Sequence, residues 1–293
     1  MRNLFFNRER RLRNGWWMLL FIAVVFATRF AYTPLSHALR DLGIGKPWLE
    51  PLAFAFILLA TWVCTRLRRE PLASVGFRLD RRWAKEAAWG TALGMGSMAL
   101  VVALMWASGA VRLQLDPARS LGAMGTGLYV FVFVALFEET LFRGFLFQRL
   151  VDGAGVWVAQ IALAVLFAAA HWGNPDMQGA TRVWASLDIA LGALMLGMAY
   201  LRTRSLALPF GLHLGWNWMQ GHVLGFDVSG VDLPGWFLPQ LLDRPAWMTG
   251  GAFGPESTVF AVAVDLAVLA LLWKWQGSAA APTRAPALRV QTA

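Results

Sequence analysis

The stretch Tyr129-Val-Phe-Val-Phe-Val-Ala-Leu-Phe-Glu-Glu-Thr-Leu-Phe-Arg-Gly144 places two adjacent glutamates, Glu138 and Glu139, and an arginine, Arg143, in an otherwise apolar run. A carboxylate at bilayer depth costs on the order of 2.5–3.5 kcal/mol on insertion scales, so a helix retains one chiefly where function or tight pairing requires it. The surroundings are those of a membrane protein. Apolar residues make up 58% of the chain and charged residues 15%, against roughly 25% charged in soluble domains.

Working outward from this stretch, apolar segments fall near residues 15–33, 49–65, 88–110, 125–147, 156–172, 184–201, 205–224 and 258–275. Most approach the ~20 residues of a spanning helix. Their apolar runs are continuous rather than alternating, which selects helices over the strands of a closed barrel. The expected fold is therefore all-α, a polytopic bundle of about eight transmembrane helices. A basic segment, 1–14, precedes the bundle of 15–276, and an Ala-, Pro- and Thr-rich tail, 277–293, reads as disordered. The first apolar stretch could pass for a signal-peptide core. We read it as a span, with Arg29 snorkelling to the headgroups.

Basic residues mark alternate loops. Arg2, Arg8, Arg10, Arg11 and Arg13 precede the first span, Arg66 to Lys85 lie between the second and third, Arg149 follows the fourth, and Arg202 and Arg204 follow the sixth. The loop from Gly225 to Ser257 carries Asp227, Asp232, Asp243 and Glu256 against Arg244. The rule that cytoplasmic loops hold the excess of Lys and Arg then puts both termini in the cytoplasm. The same distribution accounts for the net charge of +9. It is spread over one membrane face, as attraction to anionic lipid requires, and forms no compact nucleic-acid patch. The single cysteine, Cys64, excludes an internal disulfide.

The polar residues inside the spans are few: Glu138, Glu139 and Arg143 on the fourth, His171 ending the fifth, Asp188 on the sixth, His213 and Asn217 on the seventh, and Asp265 on the eighth. Helical residues four apart share a face, whereas neighbours diverge by about 100°. Glu139 can therefore pair with Arg143, leaving Glu138 the freer carboxylate, and desolvation there would raise its pKa toward that of a general base. His213 and Asn217 converge by the same spacing, and Phe167 is set to pack beside His171. Asp188 and Asp265 read as lone acids with packing or local hydrogen-bonding roles. No inverted repeat or paired broken span suggests a secondary transporter. Gly90 and Gly94 form a small-xxx-small pair on the third span, and Gly192 and Gly197 thin the sixth.

Glu138-Glu139-x-x-x-Arg143, Phe167-x-x-x-His171 and His213-x-x-x-Asn217, in this order, are similar to the motifs of the CPBP family of intramembrane proteases. This family, also called the Abi or CAAX protease and bacteriocin-processing family, includes the Ras-converting prenyl-protein endopeptidases. The detailed resemblance spans about 121–217, within a core of about 121–224, and the loop Gly250-Gly-Ala-Phe-Gly-Pro-Glu256 looks like that of some bacterial members. The resemblance implies hydrolysis of a peptide bond in a membrane-associated peptide or protein, with no cofactor. Glu138 would activate water with help from His171, and His213 and Asn217 would stabilise the oxyanion. A zinc-dependent alternative uses Glu138, His171 and His213 as Zn2+ ligands, a His2Glu set with water in the fourth position. A non-catalytic scaffold or bacteriocin-immunity protein using the same cavity is a third reading. The expected location is a bacterial inner membrane, with the lipid bilayer and the substrate as partners and no nucleic acid.

One tension accompanies this reading. Counted along the helices from the basic turns, Glu138 lies about 22 Å, His171 about 27 Å and His213 only about 14 Å in. They meet if the fourth and fifth helices project beyond the headgroups, and His171 falls out of the site if the turns are level.

Overall fold

The computed structural model describes residues 4–6 and 12–278. The expected disordered tail lies outside the described residues from 279 onward, as does part of the basic N-terminal segment. Ten α-helices and one two-stranded sheet follow in order: α1 (Asn14–Asp41), α2 (Glu50–Leu67), α3 (Arg81–Ala107), β1 (Val111–Leu115), α4 (Leu121–Glu139), α5 (Phe145–Ala154), α6 (Val156–Ala170), α7 (Gly179–Thr203), α8 (Ala207–Trp218), β2 (Phe237–Leu241), α9 (Ala246–Thr249) and α10 (Val259–Lys274). Each of the eight apolar segments is helical. The molecule is an all-α membrane bundle to which β1 and β2 add a small antiparallel ribbon, Val111 facing Leu241 and Leu115 facing Phe237.

Among the described residues, five helical stretches are long and apolar enough to cross a bilayer by themselves: Asn14–Asp41, Lys46–Leu67, Arg81–Ala107, Leu121–Ala154 and Gly179–Thr203. The other three, α6, α8 and α10, are shorter, at 15, 12 and 16 residues. Their position explains part of this. From Ala207 to Asn217 every residue of α8 is buried, so it is a central helix walled by α3, α4 and α7. By contrast, α1 turns Leu19, Ile22, Phe26 and Phe30 outward, the apolar face that lipid would cover.

The closest helix pair is α3 with α8. A Cβ added at Gly90 would stand 2.4 Å from the Leu208 carbonyl oxygen, and one at Gly94 2.1 Å from that of Leu212. The contact is reciprocal, because Cβ atoms at Gly211 and Gly215 would meet the Ala87 and Thr91 oxygens at 2.1 and 2.2 Å. Backbones approach this closely only where small residues line both helices. The interlock fixes the axial position and rotation of α8, which carries His213 and Asn217.

The basic segments gather at one end. Arg68 lies over the Trp17 ring, the Leu206 N–H donates to the Gly76 carbonyl, and Arg82 donates to the Thr203 carbonyl and to Ser278. At the opposite end the 225–257 segment folds over the helix termini. The Gly230 N–H donates to the Phe253 carbonyl, and the Asp116 N–H to that of Trp236.

Candidate active site

Between the ends lies a cavity of about 1000 Å³ that Glu138, Phe167, His171, His213 and Asn217 all line. α4 supplies Glu138 and Glu139 at its last turn, where the helix widens into a π turn over Thr140–Gly144 before continuing as α5. α8 behaves alike: its His213 and Asn217 are followed by a π turn over Met219–Val223. Such turns recur at functional sites because the additional residue reorients the helix beyond it.

The two glutamates diverge. Glu139 is 1% exposed and turned inward, where its Oε1 accepts from Arg143 Nη1 at 3.1 Å and from His213 Nδ1 at 2.9 Å. Arg143, 2% exposed, also donates through Nη2 to the Ala193 carbonyl at 3.1 Å, which ties the π turn to α7. The guanidinium sits 4.8 Å from the Phe167 ring centroid, a favourable cation–π placement. Glu138 faces the cavity, its side chain 22% exposed, and makes no hydrogen bond through Oε2.

A carboxylate oxygen that already holds Arg143 can only accept, so His213 presents its Nδ1–H to Glu139. Its Nε2 is thereby aimed at Glu138, 3.8 Å from Oε2. His171 is treated similarly. Its Nδ1 lies 2.7 Å from the Phe167 carbonyl, which must be the acceptor, leaving Nε2 free. The Phe167 ring stands 4.8 Å from the His171 ring and 6.3 Å from that of His213, so it spaces the two imidazoles. Asn217 lies one turn beyond His213 on the same buried face.

His171 therefore stays at the cavity. The stretch Leu121–Ala154 is one helix of 34 residues interrupted only by the π turn. At 1.5 Å per residue it is about 51 Å long, well beyond a ~30 Å hydrocarbon core, whereas α6, at 15 residues, is about 22 Å and does not share that reach.

Other lining residues were not legible as site residues. Glu50 opens α2, lines the cavity and feels the Glu138 charge; in sequence it reads as an ordinary first-turn acid. His222 lines the cavity with Nδ1 on the Pro234 carbonyl at 2.8 Å, and its ring fills the space that a side chain at Gly127 would take. Asp188 and Asp265 are not lone acids: they face each other across α7 and α10, with Asp265 Oδ2 tucked against Gly192. Among the described residues no three His, Cys, Asp or Glu side chains are grouped so as to hold a metal ion.

The cavity reaches from Leu141, Leu196 and Leu212 at mid-bundle to Lys46, Asn174, Ser229 and Leu233 at the end opposite the basic loops. In that end segment Glu256 is 6% exposed; its Oε2 accepts from Ser229 N–H and Oγ–H at 2.8 Å each. Burial nonetheless pushes its carboxyl above the ordinary value.

No curated protein and no solved structure matches the chain. A family model does: residues 120–219 match that of the Rce1-like group, described as Type II CAAX prenyl endopeptidase Rce1-like. The match contains α4 with its π turn, α6, α7 and α8, and so all three motif pairs. Over this segment, about a third of the chain, the protein is similar to that group of CAAX endopeptidases.

Proposed function

We propose that the protein is an intramembrane endopeptidase that hydrolyses a peptide bond of a membrane-associated or lipidated peptide with water activated by Glu138. The observation that carries this reading is the Glu138 carboxylate, its Oε2 without a hydrogen bond and 3.8 Å from His213 Nε2, in one large cavity that His171 and Asn217 also line. A water between Glu138 and the substrate carbonyl gives its proton to the carboxylate as it attacks. His171 Nε2, unprotonated at the start, takes that proton from Glu138 and delivers it to the leaving amine as the carbon–nitrogen bond breaks, which restores both groups. The developing oxyanion is held by the Asn217 amide and by His213 Nε2. Because Nδ1 is committed to Glu139, Nε2 donates only when the ring carries both protons, with Glu138 and Glu139 as counter-charges. No acyl-enzyme is required, and no Ser or Cys nucleophile.

With the basic end in the cytoplasm, both termini are cytoplasmic and the cavity opens toward the opposite leaflet. A substrate would then reach Glu138 from the non-cytoplasmic side or laterally from the bilayer.

The test is cleavage of a quenched-fluorescence peptide library by purified protein in detergent, comparing wild type, Glu138→Ala and wild type with chelator. Loss of cleavage in the variant alone supports the water-activating carboxylate. Loss with chelator, restored by zinc, moves Glu138 into a metal shell. A folded protein that binds but never cleaves supports the scaffold or immunity role.

A further inference from the structure

Three further carboxylates line the cavity, none of them used by the chemistry at Glu138. Asp188 on α7, Asp265 on α10 and Glu256 just before α10 are 3%, 1% and 6% exposed, and all three line the cavity. They act on one another electrostatically, Asp265 and Glu256 on Asp188, and Glu256 on Asp265. Their situation contrasts with that of Glu139, which is equally buried but holds Arg143 and His213. His171 acts on Glu256 from the opposite sign.

A second observation is independent of this crowding. Asp188 Oδ1 and Asp265 Oδ1 are sealed from solvent and have no hydrogen-bond partner. Buried polar atoms are nearly always satisfied, and an orphan calls for a missing partner. Carboxylates sharing a site raise one another's cost of ionising, and a cation between them removes that cost. The donors are not grouped as a metal shell, and the cavity they face is far larger than one ion, so the missing partner fits an organic cation on an extended ligand.

We propose that Asp188, Asp265 and Glu256 form a subsite for a cationic group of the substrate, a lysine or arginine side chain or a peptide ammonium. This subsite rests on the peptidase reading of the cavity and adds to it a substrate class: peptides with a basic residue near the cleaved bond. Ammonium and guanidinium groups supply the several N–H donors that clustered carboxylate oxygens accept, and charge-assisted bonds of this kind are strong in a dry cavity.

The experiment uses the full chain in detergent and peptides that differ at one position near the cut: arginine against its neutral isostere citrulline, and lysine against norleucine. Wild type is expected to favour the charged member of each pair by at least about tenfold in kcat/KM. Asp188→Asn/Asp265→Asn is expected to reduce that preference to about twofold or less while still cleaving the neutral peptides. Equal use of charged and neutral peptides by wild type overturns the subsite, as does a preference that survives in the folded double variant. Should the double variant not fold, the wild-type ratio decides alone. If nothing is cleaved, binding of the same peptides to Glu138→Ala protein is followed by tryptophan fluorescence, with Trp216 on the cavity wall. Discrimination between arginine and citrulline there sustains the subsite although the peptidase reading fails. Its absence overturns the subsite.

Discussion

Glu139 Oε1 receives His213 Nδ1 at 2.9 Å and Arg143 Nη1 at 3.1 Å, so one buried oxygen ties α8 to the π turn of α4. The ion pair inferred from the four-residue spacing thus also orients an imidazole 74 residues away in the chain. Removing one partner leaves the other charged and buried. Glu139→Gln is expected to destabilise the protein by about 3–5 kcal/mol. Glu139→Gln/Arg143→Met is expected to regain most of that stability without regaining activity, because His213 remains unoriented. Thermal unfolding in detergent, run beside the cleavage assay, separates the two effects.

Glu138 has the opposite character. Without a hydrogen bond at Oε2 and with a 22% exposed side chain, it contributes little to packing. Glu138→Gln should melt within a degree or two of wild type and lose about 10²–10⁴-fold in kcat. A variant retaining a tenth or more of the rate would remove Glu138 from the role of base.

Asn217 tests the oxyanion site. Asn217→Ala is expected to lower kcat by about 10²–10³ with KM little changed, since the bond forms only as the oxyanion develops. A change confined to KM would make Asn217 a ground-state contact.

The α3–α8 interlock makes a prediction with an internal control. Gly94→Ala pushes a methyl onto the Leu212 carbonyl at 2.1 Å, whereas an added Cβ at Gly96, on the same helix, meets nothing within 4 Å. The first should cost about 1–3 kcal/mol and reduce activity by displacing His213. The second should be neutral or stabilise by up to about 1 kcal/mol. Paired melting curves and rates decide.

Glu256 sets a pH dependence. Burial raises its carboxyl above 4.5, with the Ser229 hydroxyl, the nearby His171 charge, the Ser229 N–H and the Gln220 amide pulling the other way. The folded chain therefore holds this proton to higher pH than the unfolded chain does. Its contribution to stability is fully present below about pH 4.5 and declines as pH rises through the folded value. Glu256→Gln, which stays neutral, should match wild type at low pH and melt higher than wild type near neutrality. Melting curves that stay parallel across that range would contradict the assignment.

Access can be checked in cells. Both Ser74 and Asp232 are exposed, the first among the basic loops and the second in the segment over the cavity end. In a Cys64→Ser background, Asp232→Cys should react with a membrane-impermeant maleimide added outside, and Ser74→Cys only after permeabilisation. The reverse pattern would turn the cavity toward the cytoplasm.

The helices, their pairing by i,i+4 spacing and the shared face of His213 and Asn217 could all be read from the chain, because apolar periodicity and a 100° step per residue are local properties. What joins residues from separate helices could not. Asp188 and Asp265 looked solitary because each lacks a spaced partner on its own helix; their company is supplied by α7 packing on α10. Gly211 and Gly215 match Gly90 and Gly94 only once α3 and α8 are laid together. Glu50 and His222 carry no unusual local signal, and the π turns leave apolar composition unchanged. The β1–β2 ribbon arises from segments more than a hundred residues apart, whose pairing no local pattern announces.

The π turn at Thr140–Gly144 has a further consequence. Deleting one residue from a helix shortens it by only about 1.5 Å but rotates everything beyond by about 100°. The extra residue stored in this turn therefore sets the phase between two halves of one helix: Glu138 faces the cavity and Glu139 the Arg143–His213 pair, while Phe145 and Phe147 bury against α1 and Tyr200. Closing the bulge by deleting Leu141 would leave membrane reach almost unchanged and put one half out of phase with its surroundings. The helix thus keeps its reactive and anchoring faces on independent angular settings, and a homologue or design that matches length and composition without the bulge would align with this chain and still aim its carboxylates elsewhere.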